Sequence, residues 1–427
     1  MKQVHRFSIL GVALFTVLLG GTATAQRVVE TDLVANKSPL VDANGITHVP
    51  LLPPDPSLKN PWGIGESATS PFWISDNGAG LATIYNTAGT KSALVVSIPS
   101  PGDPLGASGT PTGMVSNIAN AAGGFKISGV DRNNNPVSAP ANFIFSTEDG
   151  TIVGWNPNVN PVGFDPTKAG TYAIIAVDNS ATANGAVYKG LAIATDSSGQ
   201  TLLYATNFRS GAVDVFDTTF QKPASLAEDA FVDPRLNHGR HDRDDDNEGR
   251  EKEKRGHHHG DDDDGRPRAN YAPFNIVPVM INGATRLVVT YAIQDADKAD
   301  DVAGHGHGIV DTFDLSGGSF HRFAQHGQLN SPWGVAVAPA NFGEIAGDIL
   351  IGNFGNGHIN VFDSYGEFKG KLRDAEGNPV AIDGLWTIMV GNGGNGGRTD
   401  TVYFTAGPNG EADGLFGSLS PVAETDK

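Results

Sequence analysis

The stretch NPWGIG at residues 60–65 returns almost unchanged as SPWGVA at residues 331–336. Weaker versions of this phrase begin near residues 110, 188, 271 and 383. Each copy is followed by short runs rich in Val, Ile, Phe and Thr, bounded by Asn, Asp or Gly. Six graded copies of a unit with three to four short strands indicate a repeat architecture. We therefore predict an all-β fold, a six-bladed β-propeller in which the phrase begins the innermost strand of each blade.

Each residue type of the phrase suits that position. Pro61 and Pro332 lack a backbone N–H, which is tolerated at the first residue of a strand. The Trp that follows offers a large apolar area for packing between sheets, and the next Gly lets backbones approach closely near the axis. The last copy lacks an outer strand, and the stretch VVETDLVAN at residues 28–36 can supply it. The N-terminal strand is therefore predicted to close the ring.

The first 25 residues are predicted to be a secretory signal peptide. Lys2 and Arg6 precede an apolar run over residues 7–19, and Ala23-Thr24-Ala25 fits a cleavage site. The alternative is a retained N-terminal anchor. Nowhere else does an apolar run approach the roughly 20 residues of a membrane-spanning helix. We expect a secreted protein, periplasmic or extracellular, whose residues 26–427 form a single propeller.

Composition limits the partners. The chain has no Cys, so its core must be stable without disulfides. The formal net charge of −18 argues against a nucleic-acid partner, which requires a basic surface. This acidity favours solubility and cationic partners, although solubility alone explains it equally well. The expected state is a monomer.

A charged insertion occupies residues 236–270, between the third and fourth units. It is almost free of apolar residues and is predicted to be disordered. His257, His258 and His259 stand beside a run of four Asp, a composition that can capture Zn²⁺, Cu²⁺ or Ni²⁺. A plain solvated loop is the alternative, since a specific metal site requires fixed geometry.

The loops after the second strand of each unit should ring one mouth of the central channel. They are polar and rich in Gly, Asn and Asp, and their oxygen atoms suit Ca²⁺ or a polyhydroxylated ligand. Tight turns require the same residue types, so turn chemistry alone is the alternative. The predicted ligand-binding residues are Asp76, Asn77, Glu148, Asn207, Asp295 and Asn353.

The fourth of these loops is long and contains a His-x-His pair. On an extended segment, His305 and His307 would project to the same side, as two metal ligands require. The insertion should leave the ring on the same face and in an adjacent sector. We therefore predict that His258, His305 and His307 contribute to a patch that captures a divalent transition metal.

The fifth unit, SPWGVAVAP followed by GDILIGNFGNGHINVFDSYGEF, resembles the NHL-repeat pattern. Across about residues 30–420 the chain is similar to an uncharacterised family of secreted bacterial propellers. The resemblance implies a six-bladed fold and no particular activity. Members of that family often end in a PEP-CTERM sorting tail, which residues up to 427 do not show.

We expect a binding or scaffolding protein whose channel mouth takes a small polar ligand, a glycan or a protein segment. The alternative is a metal-dependent hydrolase or lyase acting at the same mouth. Propellers of the gluconolactonase type carry a Glu just before the Pro-x-Trp phrase, whereas this chain has Lys59-Asn60 before Pro61. It also lacks a Gly-x-Ser-x-Gly nucleophile elbow.

Overall fold

The computed structural model describes residues 26–181, 185–236 and 270–422. The predicted signal peptide and almost all of the charged insertion, including His258, lie outside the described residues. Within them, six sheets are arranged as the blades of a β-propeller, which confirms the predicted fold. The described residues contain no helix long and apolar enough to cross a membrane.

The strands are numbered β1 to β27 along the chain. The first part of the chain contains β1 (Val28–Ala35), β2 (Leu40–Val41), β3 (Thr47–His48), β4 (Pro61–Gly65), β5 (Phe72–Asp76), β6 (Leu81–Tyr85), β7 (Val96–Ser97), β8 (Pro111–Ser116), β9 (Lys126–Val130), β10 (Pro136–Pro140), β11 (Phe143–Thr147), β12 (Thr151–Trp155) and β13 (Ile174–Asp178). Strands β4 to β7 form blade 1, and β8 with β11 to β13 forms blade 2.

The remaining strands are β14 (Tyr188–Thr195), β15 (Thr201–Asn207), β16 (Ala212–Phe216), β17 (Tyr271–Ile281), β18 (Ala284–Ile293), β19 (Ile309–Phe313), β20 (His321–Gln325), β21 (Pro332–Val337), β22 (Ile349–Asn353), β23 (Ile359–Phe362), β24 (Phe368–Lys371), β25 (Leu385–Val390), β26 (Val402–Ala406) and β27 (Leu415–Pro421). Blade 3 has three strands, β14 to β16. Blades 4 and 5 have four each, β17 to β20 and β21 to β24.

Blade 6 closes the ring. Its sheet order is β1-β27-β26-β25. The three C-terminal strands form the inner part of the blade, and the N-terminal strand β1 is its outer strand. The pairing is antiparallel, from Val28 opposite Pro421 to Ala35 opposite Leu415, with an irregularity between Asp32 and Val34. The predicted closure by residues 28–36 is confirmed.

The core is divided among the blade interfaces. Six clusters of buried apolar side chains each join two neighbouring blades, including the pair formed by blades 6 and 1. A blade therefore buries both faces, which explains why strands such as β4, β5 and β11 are buried along their whole length. A strand in this position is expected to be apolar on both sides and loses the alternation of a half-exposed strand.

The inner strands approach one another as the repeated phrase predicts. A Cβ atom on Gly63 would lie 2.5 Å from the carbonyl oxygen of Thr112 in blade 2, and one on Gly334 would lie 2.7 Å from that of Trp386 in blade 6. Any larger residue would push the neighbouring blades apart. Close packing of the inner strands thus requires the Gly of the repeated phrase at these two positions.

Several elements were not predicted. The β2–β3 hairpin lies between the closing strand and blade 1, and the β9–β10 hairpin is inserted between the first two strands of blade 2. Both were missed because their strands are short or largely exposed and carry little apolar patterning. Four short 3₁₀ helices, Asn77–Ala79, Asn120–Ala122, Pro166–Lys168 and Gly343–Ile345, also occur in the described residues.

Candidate functional site

An aromatic cluster fills the centre of the ring. Trp62, Trp333 and Trp386 come from inner strands of three blades, and each is at most 3% exposed. The rings of Trp62 and Trp386 stack with their centroids 3.6 Å apart, and the ring of Phe354 stacks on Trp386 with a centroid distance of 4.0 Å. Phe208 and Phe274 complete the cluster. This cluster closes the channel and forms the floor of the mouth.

Lys189 occupies the position in β14 that Trp62 occupies in β4. Its side chain is 1% exposed. The ammonium group donates to Oε1 of Glu148 and, over 3.2 Å, to Oδ1 of Asp300. It also lies 4.9 Å from the centroid of the Trp62 ring and 5.8 Å from that of Phe208. A buried cation is thus held by two carboxylates on one side and by aromatic faces on the other.

A chain of hydrogen bonds extends from this ion pair around the mouth. Asn77 Nδ2 donates to Oε2 of Glu148 over 2.8 Å. Asn60 Nδ2 donates to Oε2 of Glu411 over 2.6 Å and to Oδ1 of Asn77 over 3.3 Å. The indole of Trp386 donates to Oδ1 of Asn60 over 2.9 Å. Residues from blades 1, 2 and 6 and the aromatic floor are therefore connected in a single polar network.

The mouth is acidic in spite of Lys189. The pKa of Glu411 is raised to about 7. Burial is the largest cause, the charges of Glu148 and Asp300 act in the same direction, and Asn60 and Lys189 oppose them. Burial also raises the pKa of Asp301, and its Oδ2 atom is buried without a hydrogen-bond partner. Two carboxylates thus contact the one ammonium group, and two further carboxyl groups lie close enough to interact with its charge. This balance favours ligands that donate hydrogen bonds or carry positive charge.

Two of the predicted ligand-binding residues belong to this network. Asn77 and Glu148 lie in the loops after the second strands of blades 1 and 2, and the hydrogen bond between them joins the two blades. Asp295 begins the corresponding loop of blade 4, which delivers Asp300 to Lys189. Its own Oδ1 accepts from the backbone N–H groups of Ala299 and Asp300 and so shapes that loop.

Two of the other three predicted ligand-binding residues, Asn207 and Asn353, have partners within the protein. Asn207 donates to Asp214, and its Oδ1 accepts from backbone N–H groups in its own turn and at Val187. Asn353 is fully buried and donates to Oδ1 of Asn356 in its own turn over 3.1 Å, and also to the carbonyl of Gln328. These contacts are the turn chemistry that formed the alternative interpretation. A ligand role for either residue stays a prediction.

Asp76 is not accessible from the mouth. It is the last residue of β5, its side chain is fully buried, and burial raises its pKa well above the usual range. The charges of Asp55 and Lys91 act on it from the outer part of blade 1. A solvated ligand therefore has no direct route to this carboxyl group.

The His-x-His pair lies on an irregular segment rather than an extended one. His305 is exposed, and the ring of His307 turns back to place its Nδ1 2.9 Å from the carbonyl oxygen of Val302. Among the described residues, the group of His, Asp or Glu close enough to share a metal ion lies elsewhere, on β1 of blade 6 and the β2–β3 hairpin. Leu236 and Asn270, at the two ends of the insertion, line a surface groove that Lys298 of the His-x-His loop also lines. The ends of the insertion are therefore adjacent to this loop.

Sequence reasoning missed Lys189, Asp300 and Glu411. A signal for Lys189 exists: the aligned inner-strand triplets are Pro61-Trp62-Gly63 and Tyr188-Lys189-Gly190. A Lys where other blades carry an aromatic residue predicts a charge on the axis. Asp300 and Glu411 lie in loops that were expected to ring the mouth, but their loops contain several acidic residues, and no pattern distinguishes these two.

A second cavity lies on the axis below the aromatic floor. It has a volume of about 270 Å³ and is lined mainly by apolar residues of the inner strands, among them Ile64, Met114 and Ile388. Glu66 lines it as well. Burial raises the pKa of Glu66 to about 8, and its Oε2 has no hydrogen-bond partner.

Sequence relatives come from a giant virus. Uncharacterized protein L690 of Acanthamoeba polyphaga mimivirus is 31% identical over 368 residues, which cover 86% of this chain and 81% of L690. The chain belongs to the family of the mimivirus protein L690. Uncharacterized protein R648 of the same virus is 29% identical over 368 residues, which cover 86% of this chain and 76% of R648. These L690 relatives give no support to the bacterial origin that the NHL-like resemblance implied.

No family model matches the chain, so the NHL-like character of its repeats stays a prediction. Among solved structures, the chain is similar to a glucose dehydrogenase, with 10% identity and a TM-score of 0.45 over 86% of this chain and 98% of that one. It is also similar to a streptogramin B lyase, with 12% identity and a TM-score of 0.41 over 94% of this chain and 100% of that one.

Proposed function

We propose that the protein is a binding propeller that holds a small polar ligand in the mouth above the aromatic floor. The observation that carries the proposal is the buried ammonium of Lys189, bound by Glu148 and Asp300 and lying over Trp62. A buried charge is costly unless it is paired, and such a group on the axis indicates a site built for recognition.

The free groups of the mouth define the ligand class. Lys189 already directs its ammonium at Glu148 and Asp300, so little of its donor capacity is left. The remaining carboxylate oxygens belong to Asp300, which is 73% exposed, and to the partly buried Glu411. These atoms accept hydrogen bonds. A ligand with several hydroxyl or ammonium groups, such as a glycan or an amino sugar, therefore fits the mouth best.

The same network favours binding over metal-dependent catalysis. The ammonium group of Lys189 takes the place between carboxylates that a cation would need in the predicted hydrolase or lyase. Its charge repels a second cation close by. The expected Ca²⁺ or transition-metal ion at the mouth is accordingly not part of this proposal.

Thermal-shift measurements with neutral oligosaccharides and cationic chitosan oligomers test the proposal. A bound sugar should raise the melting temperature of the parent, and Asp300→Asn and Glu148→Gln should each reduce that shift by more than half. Asp297→Asn is the matched control, because it removes the same charge from an exposed position of the same loop. Equal shifts in all variants, or no shift with any sugar, would contradict binding at the mouth.

We also propose that the protein is secreted. The support is the predicted signal peptide, residues 1–25, with its positive start and apolar run. Expression of the full chain in a secreting host should release a protein whose N-terminal residue is Gln26, as measured by intact mass. Retention of the full-length mass in the membrane fraction would indicate the anchor instead.

A further inference from the structure

A histidine on the outer side of blade 6 is surrounded by three carboxylates. Glu30 and Asp32 are two residues apart on β1, so they project from the same face of that strand. His48, at the end of β3, places Nδ1 3.1 Å from Oδ2 of Asp32 and 3.9 Å from Oε1 of Glu30. On the other side of the ring, Oδ2 of Asp42 lies 3.6 Å from Nε2.

This arrangement leaves buried oxygen atoms without partners. Asp42 has a fully buried side chain, and its Oδ2 makes no hydrogen bond, although Oδ1 accepts from the backbone N–H groups of Asn44 and Ile46. Oδ1 of Asp32 is also buried and unpartnered. Oδ2 of Asp42 faces Nε2 of His48, which can supply a proton, whereas Oδ1 of Asp32 has no such neighbour among the described hydrogen bonds. An unpaired carboxylate oxygen away from water is costly, so a further group is expected beside Asp32.

We infer that Glu30, Asp32 and His48 bind a divalent transition-metal ion. Nδ1 of His48 lies 3.1 Å from Oδ2 of Asp32 and 3.9 Å from Oε1 of Glu30. Atoms bound to a common ion at about 2.0–2.2 Å lie no more than about 4.4 Å apart, so both separations fit. The donor set of one imidazole nitrogen and two carboxylate oxygens suits Zn²⁺ and similar ions, whereas Ca²⁺ prefers oxygen alone. His48 binds through Nδ1.

Asp42 has the role of an outer partner. Its carboxylate faces Nε2 and favours the tautomer that carries its proton there, which frees the Nδ1 lone pair for the metal. Without an ion, that lone pair faces two carboxylates, and a proton on Nδ1 would take the place of the ion. A histidinium held by three carboxylates is therefore the competing state.

The ion would link two segments of the chain. Glu30 and Asp32 lie on the closing strand β1, and His48 lies on the β2–β3 hairpin that follows it. Binding to the folded chain alone stabilises that state by mass action. The site is therefore structural: it fastens the N-terminal strand in the blade that completes the ring. It is separate from the mouth around Lys189 and does not depend on the proposed function.

The test measures Zn²⁺ binding to the full chain in which His257, His258 and His259 are replaced by Ala, so that the insertion cannot contribute. Isothermal titration calorimetry should show one ion per chain, and Zn²⁺ should raise the melting temperature by roughly 2–5 °C at a hundredfold excess over Kd. His48→Gln should abolish both effects, and Asp42→Asn should weaken binding roughly 10–100-fold.

His321→Gln serves as the control, because His321 is an exposed histidine on β20. Near-UV circular dichroism shows whether each variant folds. If His48→Gln does not fold, Glu30→Gln is used in its place, because the Glu30 side chain is 32% exposed and its replacement disturbs the core less. Zn²⁺ binding that is absent from the parent, or unchanged in His48→Gln and Glu30→Gln, would overturn the inference and leave the histidinium state.

Discussion

The ammonium group of Lys189 lies 4.9 Å from the ring centroid of Trp62, where the charged mouth meets the aromatic floor. The two residues hold equivalent positions in the inner strands of blades 3 and 1. The repeat thus places a cation directly against the residue type that it replaces. Lys189 therefore contributes to the centre of the ring in two ways, through contact with Trp62 and through its ion pair with Glu148.

Replacing Lys189 by Met should test that double role. Met retains apolar contact with Trp62, but Glu148 loses its cationic partner at a position where it is 24% exposed. We expect the free energy of unfolding to fall by about 1–3 kcal/mol, measured by urea denaturation at pH 7. Adding Glu148→Gln to Lys189→Met should recover part of the loss. Lys168→Met, at an exposed position, is the control, and an equal loss there would contradict the account.

Trp62→Ala should destabilise the whole ring. The side chain is 2% exposed and stacks on Trp386, and its backbone carbonyl accepts hydrogen bonds from Thr387 and Thr405 of blade 6. Loss of the indole leaves a cavity between blades, with an expected cost of about 3–5 kcal/mol in unfolding free energy. Trp62→Phe should cost less than Trp62→Ala. Similar losses for both would show that packing area does not determine the effect.

Glu66→Gln should change how stability depends on pH. The folded chain holds the carboxyl proton up to a pKa of about 8, whereas the unfolded chain releases it near the ordinary value of 4.5. Folding therefore takes up a proton between these values, and stability of the parent falls as the pH rises through this window. Gln cannot ionise, so the variant and the parent should match near pH 4 and diverge by pH 9, with the variant more stable.

Urea denaturation across that pH range measures the difference. Glu367→Gln, at an exposed residue of the β23–β24 turn, is the control and should show no such divergence. A constant difference between Glu66→Gln and the parent from pH 4 to pH 9 would mean that the Glu66 carboxyl does not titrate in this window.

The insertion should be separable from the ring. Its composition predicts disorder, and blades 3 and 4 on either side of it share a buried cluster that includes Tyr204, Leu287 and Ile309. We expect trypsin to cut first within residues 237–269 and to leave two fragments that migrate together in gel filtration. Deleting 238–266 should leave the melting temperature within about 2 °C of the parent. Early cuts at other blade junctions would contradict this.

The fold was predictable because its determinants are local and repeated. Pro61-Trp62-Gly63 and its copies mark the inner strands, and residues 28–36 supply the missing outer strand. The site was less predictable, because Glu148, Lys189 and Asp300 meet only when three blades are arranged around the axis. Asp76 was expected at the mouth because a turn sequence does not show that the last strand residue is fully buried. Likewise, no spacing rule connects Glu30 with His48.

The pairing of Val28 with Pro421 has a consequence for how the chain is made. During synthesis β1 emerges first, yet its partner β27 emerges last, so blade 6 stays incomplete until the final strands leave the ribosome. Contacts of such long sequence separation form slowly, and until then the last blade presents open strand edges. A chain truncated before Leu415 therefore loses its ring closure along with a strand, and its exposed edges favour association with other chains.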